Sequence, residues 1–179
     1  MNRVGTSQRG FTIVELLIVI VVIAILAAIT IVAFNGIQSR AENTKTVSAV
    51  AAWVKALHSY KAEKGEYPTM NSCLGSPTTY TNAFDGRCWA PNTSSWSVQT
   101  NFLNAVAPYI SSQPEPSNRN IHIDSDQYRG AIYYYAAAGD HRVYVNILGT
   151  TTCPEIGGLN TSYGGVDRTN GRSCYYRLP

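Results

Sequence analysis

The feature that most constrains this chain is a long apolar segment near its N-terminus. The segment runs from Phe11 to Phe34, 24 residues in which Glu15 is the single ionisable side chain. As a helix it would extend about 36 Å, enough to cross the roughly 30 Å hydrocarbon core of a bilayer. The alternative is a buried helix of a soluble protein, but the remaining chain is too small to surround a helix that is apolar on every side. The sequence therefore predicts a membrane-inserted helix.

The residues that flank the segment indicate how it lies in the membrane. Arg3 and Arg9 precede it without any acidic residue, so the positive-inside rule predicts a cytoplasmic N-terminus. A removable secretory signal would have a shorter apolar core followed by a small-x-small cleavage site. Here the apolar run continues for six residues beyond Ala28. We therefore expect the helix to be retained as an anchor, with the rest of the chain exported.

Glu15 is the unusual residue of the segment. A carboxylate at the centre of a bilayer costs about 2.5–3.5 kcal/mol on insertion scales, and less near an interface. Glu15 lies four residues into the segment, close to its cytoplasmic end. Two interpretations follow: an interfacial acid that the membrane tolerates, or an acid that finds a positive partner inside a protein assembly.

The residues around Glu15 favour the second interpretation. The stretch RGFTIVELL, residues 9–17, resembles the class III signal sequence of type IV prepilins. In that family a prepilin peptidase cleaves after the glycine, here Gly10, and methylates the new N-terminal residue, here Phe11. The resemblance implies that Glu15 serves filament assembly by neutralising the N-terminal amine of a neighbouring subunit, with axial register as its main effect.

The resemblance also implies a function. It predicts a structural subunit of a bacterial type IV pilus or pilus-like filament, held in the cytoplasmic membrane by one helix with its head outside and then moved into an extracellular filament. The implied partners are copies of itself or related pilins, the prepilin peptidase, a membrane platform protein and an assembly ATPase. The chain has no phosphate-binding loop and no catalytic motif, so we expect neither enzymatic activity nor a cofactor.

Four alternatives stay open at this point. The chain would suit a pseudopilin of a type II secretion system, a pseudopilin of a DNA-uptake system, or a minor, tip-located adhesive pilin. It would also suit a membrane-anchored secreted enzyme if the resemblance of the leader were accidental. Adhesion, twitching motility, DNA uptake and secretion are not distinguished by these residues.

The apolar segment continues into a second, amphipathic stretch. No proline occurs between Phe11 and Pro68, and apolar residues recur at steps of three and four from Val47 to Leu57. Lys61 and Lys64 suit the last turn of a helix, and Gly65 suits the position after it. The pattern predicts one helix over 11–64. The expected organisation is a leader at 1–10, a long helical region at 11–66 with a transmembrane part at 11–34, and a globular head at 67–179.

The head contains several strand-like runs. Ala131–Ala136 and Arg142–Leu148 alternate with period two and predict an antiparallel hairpin, and Ser173–Arg177 predicts a last strand. A short helix is expected near Val98–Ile110. Little regular structure is expected over 69–95, where Gly, Pro, Asn, Ser and Thr dominate. The predicted fold class is α+β, with the long N-terminal helix packed on a small antiparallel sheet, as in pilins.

Four cysteines lie outside the apolar segment. In an exported head they predict two disulfides, and three pairings exist. We favour Cys73–Cys88 and Cys153–Cys174, because each closes a short local loop. No C-x₂-C spacing occurs, so no zinc or other metal site is expected.

Weaker signals in the head carry structural interpretations. Three dispersed histidines lack a catalytic motif, and a run of two aspartates lacks the glycine and glutamate of a full calcium loop. Two glycosylation patterns are short enough to arise by chance. These residues are His58, His122, His141, Asp124-Ser125-Asp126, Asn92-Thr93-Ser94 and Asn160-Thr161-Ser162. We expect solvated turns and ordinary polar positions there.

Charge and aromatic content bear on partners. Net charge is +3, from 14 Lys+Arg and 11 Asp+Glu, which is too balanced for a protein that coats a polyanion. The mild basic bias of Arg168, Arg172 and Arg177 is read as a solvated face. The many tyrosines are expected to divide between the sheet core and the outer face, where ordinary packing is favoured over ligand binding.

Charge is scarce in the head as well as in the apolar segment. The residues after Phe34 carry 12 basic and 10 acidic side chains, well below the usual quarter of a soluble domain. We hypothesise that the low charge limits repulsion when copies pack together.

Overall fold

The computed structural model describes residues 11–80, 86–90, 96–123, 126–149, 152–159 and 165–179. It confirms the predicted α+β class, because one long N-terminal helix precedes two antiparallel sheets. The helix, α1, is continuous from Ile13 to Lys64. A compact unit begins at Ser39 and ends at Pro179, and a separate unit ends at Gln38. The second half of α1 therefore belongs to the head. The expected leader, 1–10, lies outside the described residues.

The end of α1 follows the expected termination signal. Gly65 has φ of 87°, and its N–H donates to the carbonyl of Lys61 at 2.8 Å. This is the left-handed helix cap, which favours glycine because a side chain would be strained at that φ. Lys61 and Lys64 lie in the last turn, where positive charge complements the helix dipole.

The remaining elements are short and follow one another closely. In chain order they are β1 Ser72–Leu74, β2 Arg87–Ala90, β3 Trp96–Ser97, α2 Thr100–Val106, a 3₁₀ turn Ala107–Tyr109, β4 Asn120–Ile123, β5 Asp126–Arg129, β6 Ala131–Ala137, β7 Asp140–Leu148, β8 Val166–Arg168 and β9 Gly171–Arg177. One sheet has the order β1-β6-β7-β9-β8, and a second has the order β3-β2-β5-β4. Neighbouring strands in both sheets are antiparallel.

The five-stranded sheet contains the predicted hairpin and last strand. β6 pairs with β7 with Tyr133 opposite Val143, and β7 pairs with β9 with Val143 opposite Tyr176. These three side chains are buried, whereas their neighbours Tyr134 and Tyr144 are partly exposed. The alternation follows because successive side chains of a strand lie on opposite faces of a sheet.

The four-stranded sheet differs from the expectation of little regular structure between 69 and 95. Its strands β2 and β3, like β1 at the edge of the five-stranded sheet, have only two to four residues, too few to show a recognisable alternation in sequence. The expected helix near 98–110 is also shorter. It ends at Val106, and a 3₁₀ turn that contains Pro108 follows, because proline removes a backbone donor from a helix.

The core of the head forms around the second half of α1. Val50 and Leu57 on its predicted apolar stripe, and Trp53 beside the stripe, are fully buried and pack with sheet residues such as Tyr133 and Val145. Trp53 also donates its Nε1–H to the carbonyl of Pro114 at 2.9 Å. A buried indole is most stable when its N–H has an acceptor, so this hydrogen bond fixes the orientation of the Trp53 ring within the apolar core.

Polar side chains of α1 also hold the head. The amide of Asn43 pairs with the backbone of Leu148, accepting its N–H at 2.7 Å and donating to its carbonyl at 2.8 Å. The buried hydroxyl of Thr46 accepts the N–H of Ser117 at 3.0 Å. These contacts were not expected from sequence, because their partners lie 105 and 71 residues away.

Candidate functional site

The first described residues of the chain form a helix N-cap. Thr12 precedes α1, and its Oγ1 accepts the backbone N–H of Glu15 at 3.2 Å. In return, Glu15 Oε2 accepts the N–H of Thr12 at 2.8 Å and its hydroxyl at 2.9 Å. This reciprocal pair is a capping box, and its T-x-x-E spacing is visible in the sequence. Our sequence interpretation missed it, because it assigned Glu15 to a partner in another subunit alone.

The capping box gives Glu15 a partner within its own chain. The described hydrogen bonds of its carboxylate go to Thr12, and they are exposed. Phe11, directly before the cap, is 83% exposed. Gly10, the expected cleavage position, lies outside the described residues. The carboxylate is therefore held near the start of the helix by contacts that solvent or another group can replace.

The first half of α1 presents apolar side chains on every side. Each large apolar side chain described from Phe11 to Ile37 is about half exposed or more. By length and composition alone, α1 is the one helix in the described ranges that is long and apolar enough to cross a membrane. Such a surface is costly in water, so lipid or another protein must cover it.

Both disulfides of the head are present in the pairing favoured from sequence. Cys73 bonds to Cys88 with Cα atoms 5.8 Å apart, and Cys153 bonds to Cys174 with Cα atoms 5.6 Å apart. The first lies in a small core with Tyr80 and Ile132. Cys174 lies in the main core, and its disulfide attaches the segment 152–159 to β9.

Two of the three histidines converge on one tyrosine. His58 Nδ1 forms a 2.9 Å hydrogen bond with Tyr67 OH, and the ring of His141 lies 5.1 Å from that of Tyr67. The side chain of His122 is not described. Within the described ranges, no three His, Cys, Asp or Glu side chains form a group that would hold a metal. His58 on α1 and His141 on β7 thus contact the same tyrosine, and we assign them a structural role.

The contacts of His141 identify a ring nitrogen that carries a proton, and burial favours the neutral form of the ring. Tyr133 OH donates to the carbonyl of Pro68 at 2.7 Å, so its 2.7 Å bond to His141 Nδ1 is donated by the imidazole. Burial lowers the pKa of His141, and the charge of Lys61 acts in the same direction, against the opposite effect of Asp140 and Glu66. Burial and Lys61 also lower the pKa of His58.

These pKa values predict a pH-dependent stability. Because each folded pKa is below the ordinary value of about 6.5, the unfolded chain binds more protons in acid. The contribution of the two histidines to the free energy of unfolding is complete above about pH 7 and is lost as the pH falls through the folded pKa. The slope is at most about 1.4 kcal/mol per pH unit for each histidine. Urea unfolding at several pH values measures this slope. His141→Asn keeps a donor for Tyr133, and we expect a shallower slope; an unchanged slope would contradict the assignment.

Several weaker candidates fall outside the described residues. These are Asp124 and Ser125 of the candidate calcium run, and both glycosylation patterns, at Asn92-Thr93-Ser94 and Asn160-Thr161-Ser162. Asp126 begins β5, but its side chain is not described. The arginines of the basic C-terminal region are engaged: Arg172 pairs with Asp167 at 2.7 Å, and Arg177 lies 3.8 Å from Asp140.

Comparisons with known proteins each match less than half of the chain. Residues 5–31 match the family described as the prokaryotic N-terminal methylation motif. The type II secretion system core protein G of Escherichia coli strain K12 is 39% identical over 74 residues, which are 41% of this chain and 51% of that protein. The protein of the same name from Klebsiella michiganensis is 41% identical over 68 residues, 38% of this chain and 48% of that protein.

A pilus protein is also similar to this chain. The fimbrial protein of Neisseria meningitidis serogroup B is 33% identical over 75 residues, 42% of this chain and 44% of that protein. The chain spans about half the length of the curated relatives it matches. No solved structure matches it.

Proposed function

Because its N-terminal region makes this chain a member of the type IV pilin-like family, we propose that it is a structural subunit of a pilus or pilus-like filament. The observation that carries the proposal is the apolar surface of α1 from Phe11 to Ile37, where every large apolar side chain described is about half exposed or more. Lipid covers this surface before assembly. In the filament, the same segments of neighbouring copies cover it by packing against one another.

Maturation is proposed to prepare the N-terminus for this packing. Cleavage after Gly10 leaves Phe11 as the first residue, and the peptidase methylates its amine. The new positive charge then lies beside apolar surface, where it needs a carboxylate. Glu15 of a neighbouring copy supplies one by exchanging its exposed contacts with Thr12 for the amine. This pairing sets the axial register of neighbouring subunits in the filament, because each subunit forms one ion pair between an amine and a carboxylate.

Other proteins are proposed to supply the energy and the processing that assembly requires. The sequence has no phosphate-binding loop, so energy for assembly comes from a cytoplasmic ATPase that acts through a membrane platform protein. A prepilin peptidase supplies the cleavage and the methyl transfer. The subunit waits in the cytoplasmic membrane as a single-pass protein with its head outside, and it ends in an extracellular filament of itself or related pilins.

A second candidate function is a pseudopilin of a type II secretion system. The similarity to core protein G of two bacteria supports it. Both functions use the same processing and the same apolar packing. Abundance separates them, since a major pilin must be the dominant protein of sheared surface filaments, whereas a pseudopilin of a short filament is not recovered in that fraction.

Mass spectrometry of the mature protein tests the processing on which both functions depend. We expect an N-terminus at Phe11 that carries one methyl group on its amine. A Gly10→Val variant serves as the control, because a β-branched residue at the cleavage position should leave residues 1–10 attached. A native N-terminus at any other residue, or an unmethylated Phe11, would contradict the proposal.

A further inference from the structure

A cleft of about 230 Å³ lies on the head between its two sheets. Its walls are aromatic, and its polar groups come mainly from the five-stranded sheet. The residues that define it are Trp89, Tyr128, Tyr144, Tyr175, Asn146 and Arg168. On β7 and β9, the cleft residues alternate with core residues such as Val143 and Tyr176. The cleft therefore lies on the face of that sheet opposite the α1 core.

The walls of the cleft present stacked and tilted rings. Trp89 stacks on Tyr128 with ring centroids 5.5 Å apart and an angle of 24° between the planes. Tyr144 meets Tyr175 edge-on at 4.7 Å. Aromatic pairs of this kind are mutually supporting, so the rings hold their positions without a ligand. All four side chains are partly exposed, and the Tyr128 ring is contacted by both Trp89 and Arg168.

Arg168 provides the positive charge of the cleft. Its guanidinium lies 4.2 Å from the centre of the Tyr128 ring. Its Nε donates to Ser173 Oγ at 3.0 Å, and its Nη2 donates to Tyr175 OH at 3.2 Å. In the described part of the chain, no carboxylate forms an ion pair with it. The side chain is thus oriented by neutral oxygens while its charge has no described counter-ion.

The polar side chains of Asn146 and Ser173 in the cleft are bonded within the protein, and the Asn146 amide N–H donates to the carbonyl of Arg129 at 3.2 Å. None of the lining residues is acidic. The hydroxyl of Ser173 donates to Asn146 Oδ1 at 2.7 Å, so that oxygen is already occupied. The buried Nε1–H of Trp89 has no acceptor among the described residues. Arg168 therefore gives the cleft its charge, and a fitting ligand carries a negative group that accepts hydrogen bonds from it.

We propose that this cleft binds one carboxylated sugar ring, of the hexuronic acid class. The apolar C–H face of a pyranose packs on aromatic rings, as small-molecule sites use aromatic walls with a few placed polar groups. The carboxylate accepts a charge-assisted, fork-like pair of bonds from Arg168. The volume lies below the roughly 300–1,000 Å³ of pockets for drug-sized ligands, which suits one ring.

A nucleic acid fits the same site less well. Binding to a polyanion depends on several phosphate contacts, each made by a basic residue. Arg168 is the one basic residue among those that line the cleft. Single-stranded nucleic acid also needs a groove that follows its backbone, whereas this cleft has the volume of one ring.

Sugar binding goes beyond the proposed filament function and is testable without assembly. We would place the full-length protein in lipid nanodiscs, because common detergents carry sugar headgroups. Galacturonic acid is the probe, galactose the uncharged control, and tryptophan fluorescence the measurement. Trp89 lines the cleft and Trp96 packs against Trp89, whereas Trp53, the third tryptophan, lies in the main core. We expect a saturable change in fluorescence with galacturonic acid and about tenfold weaker binding of galactose.

Substitutions locate the site. We expect Arg168→Gln to weaken galacturonic acid binding about tenfold while leaving galactose binding unchanged. Arg168→Lys keeps the charge but lacks the planar guanidinium. We expect its affinity for galacturonic acid to lie between those of the native protein and the Arg168→Gln variant. Arg177→Gln is the matched control, since it removes an exposed arginine outside the cleft and should bind like the native protein.

The outcomes decide between the ligand classes. Equal binding of the acid and the neutral sugar, or no saturable change with either, would overturn the proposal. Tight binding of a thymidine oligonucleotide instead would assign the cleft to nucleic acid. The comparison of acid with neutral sugar uses the native protein, so it stands even if Arg168→Gln does not fold. Filament assembly plays no part in the measurement, and its failure would leave this result unaffected.

Discussion

We expect a Glu15→Gln variant to be exported, cleaved and methylated, and yet to form almost no filaments. Removing one partner of a desolvated ion pair costs about 3–5 kcal/mol, which corresponds to a hundredfold or more in an equilibrium constant. The neutral amide introduced by this substitution would leave the amine at Phe11 of the neighbouring subunit without a counter-charge. The yield of sheared filaments, followed by immunoblot and electron microscopy, measures the loss.

The capping box determines how this experiment must be designed. A Glu15→Ala change would remove both the charge and the bond to the Thr12 N–H, so its effect would have two explanations. Glutamine preserves the cap, because Glu and Gln both serve at this position of a capping box. The complementary variant is Thr12→Ala, which loses the cap at a cost of about 1 kcal/mol but keeps the carboxylate.

The two variants separate the roles of Glu15. If the charge is required for assembly, Glu15→Gln fails and Thr12→Ala assembles. Equal defects in both would assign Glu15 to helix capping alone, and native filament yield from Glu15→Gln would contradict the pairing with an amine. Glu63→Ala is a further control, because it removes an exposed acid from the last turn of the same helix and should not affect assembly.

The second large effect is expected from the Cys153–Cys174 disulfide. Replacing both cysteines with serine should lower the free energy of unfolding of the head by about 3 kcal/mol, because the unfolded chain regains the entropy that the closed loop had removed. For a domain of this length, that corresponds to a fall of about 10 °C in Tm. Thermal unfolding followed by circular dichroism measures the change.

The other disulfide provides a matched comparison. Cys73 and Cys88 are 15 residues apart and Cys153 and Cys174 are 21 apart, so loop entropy predicts similar losses. The local consequences should differ. Freeing Cys153 releases a segment whose Ile156 is buried in the main core. Hydrogen exchange should therefore accelerate over 152–159 in that double variant alone. Equal exchange there in both variants, or an unchanged Tm, would contradict this account.

Local features of the chain were predicted closely because their signals lie within a few residues. The end of α1 at Lys64 follows from two lysines and Gly65, and the β6–β7 hairpin follows from alternation. The capping box was equally local and was still missed, since Glu15 had already been given a role. Glu15 can thus have two roles, one in filament assembly and one in capping its own helix. The hydrogen bonds with Thr12 reveal the second role.

Features that depend on distant pairs were not predicted. The four-stranded sheet joins β2 with β5, whose residues Trp89 and Tyr128 are 39 positions apart. Its strands are too short to carry a period. His58 and His141 were interpreted as dispersed because they are far apart in sequence. In the fold, each of them contacts Tyr67. The aromatic cleft arises in the same way, from side chains of both sheets.

The sequence by itself determined the apolar anchor, the methylation motif with Glu15, the two helical halves of α1 and the hairpin. Each of these is written in consecutive residues, as a run, a spacing or a period. Only the tertiary structure decided which polar groups of α1 hold the head, how the short strands form a second sheet, and that Arg168 lies over Tyr128 between aromatic walls. Those outcomes depend on which distant surfaces pack together to bury apolar area, and such a choice leaves no pattern along the chain.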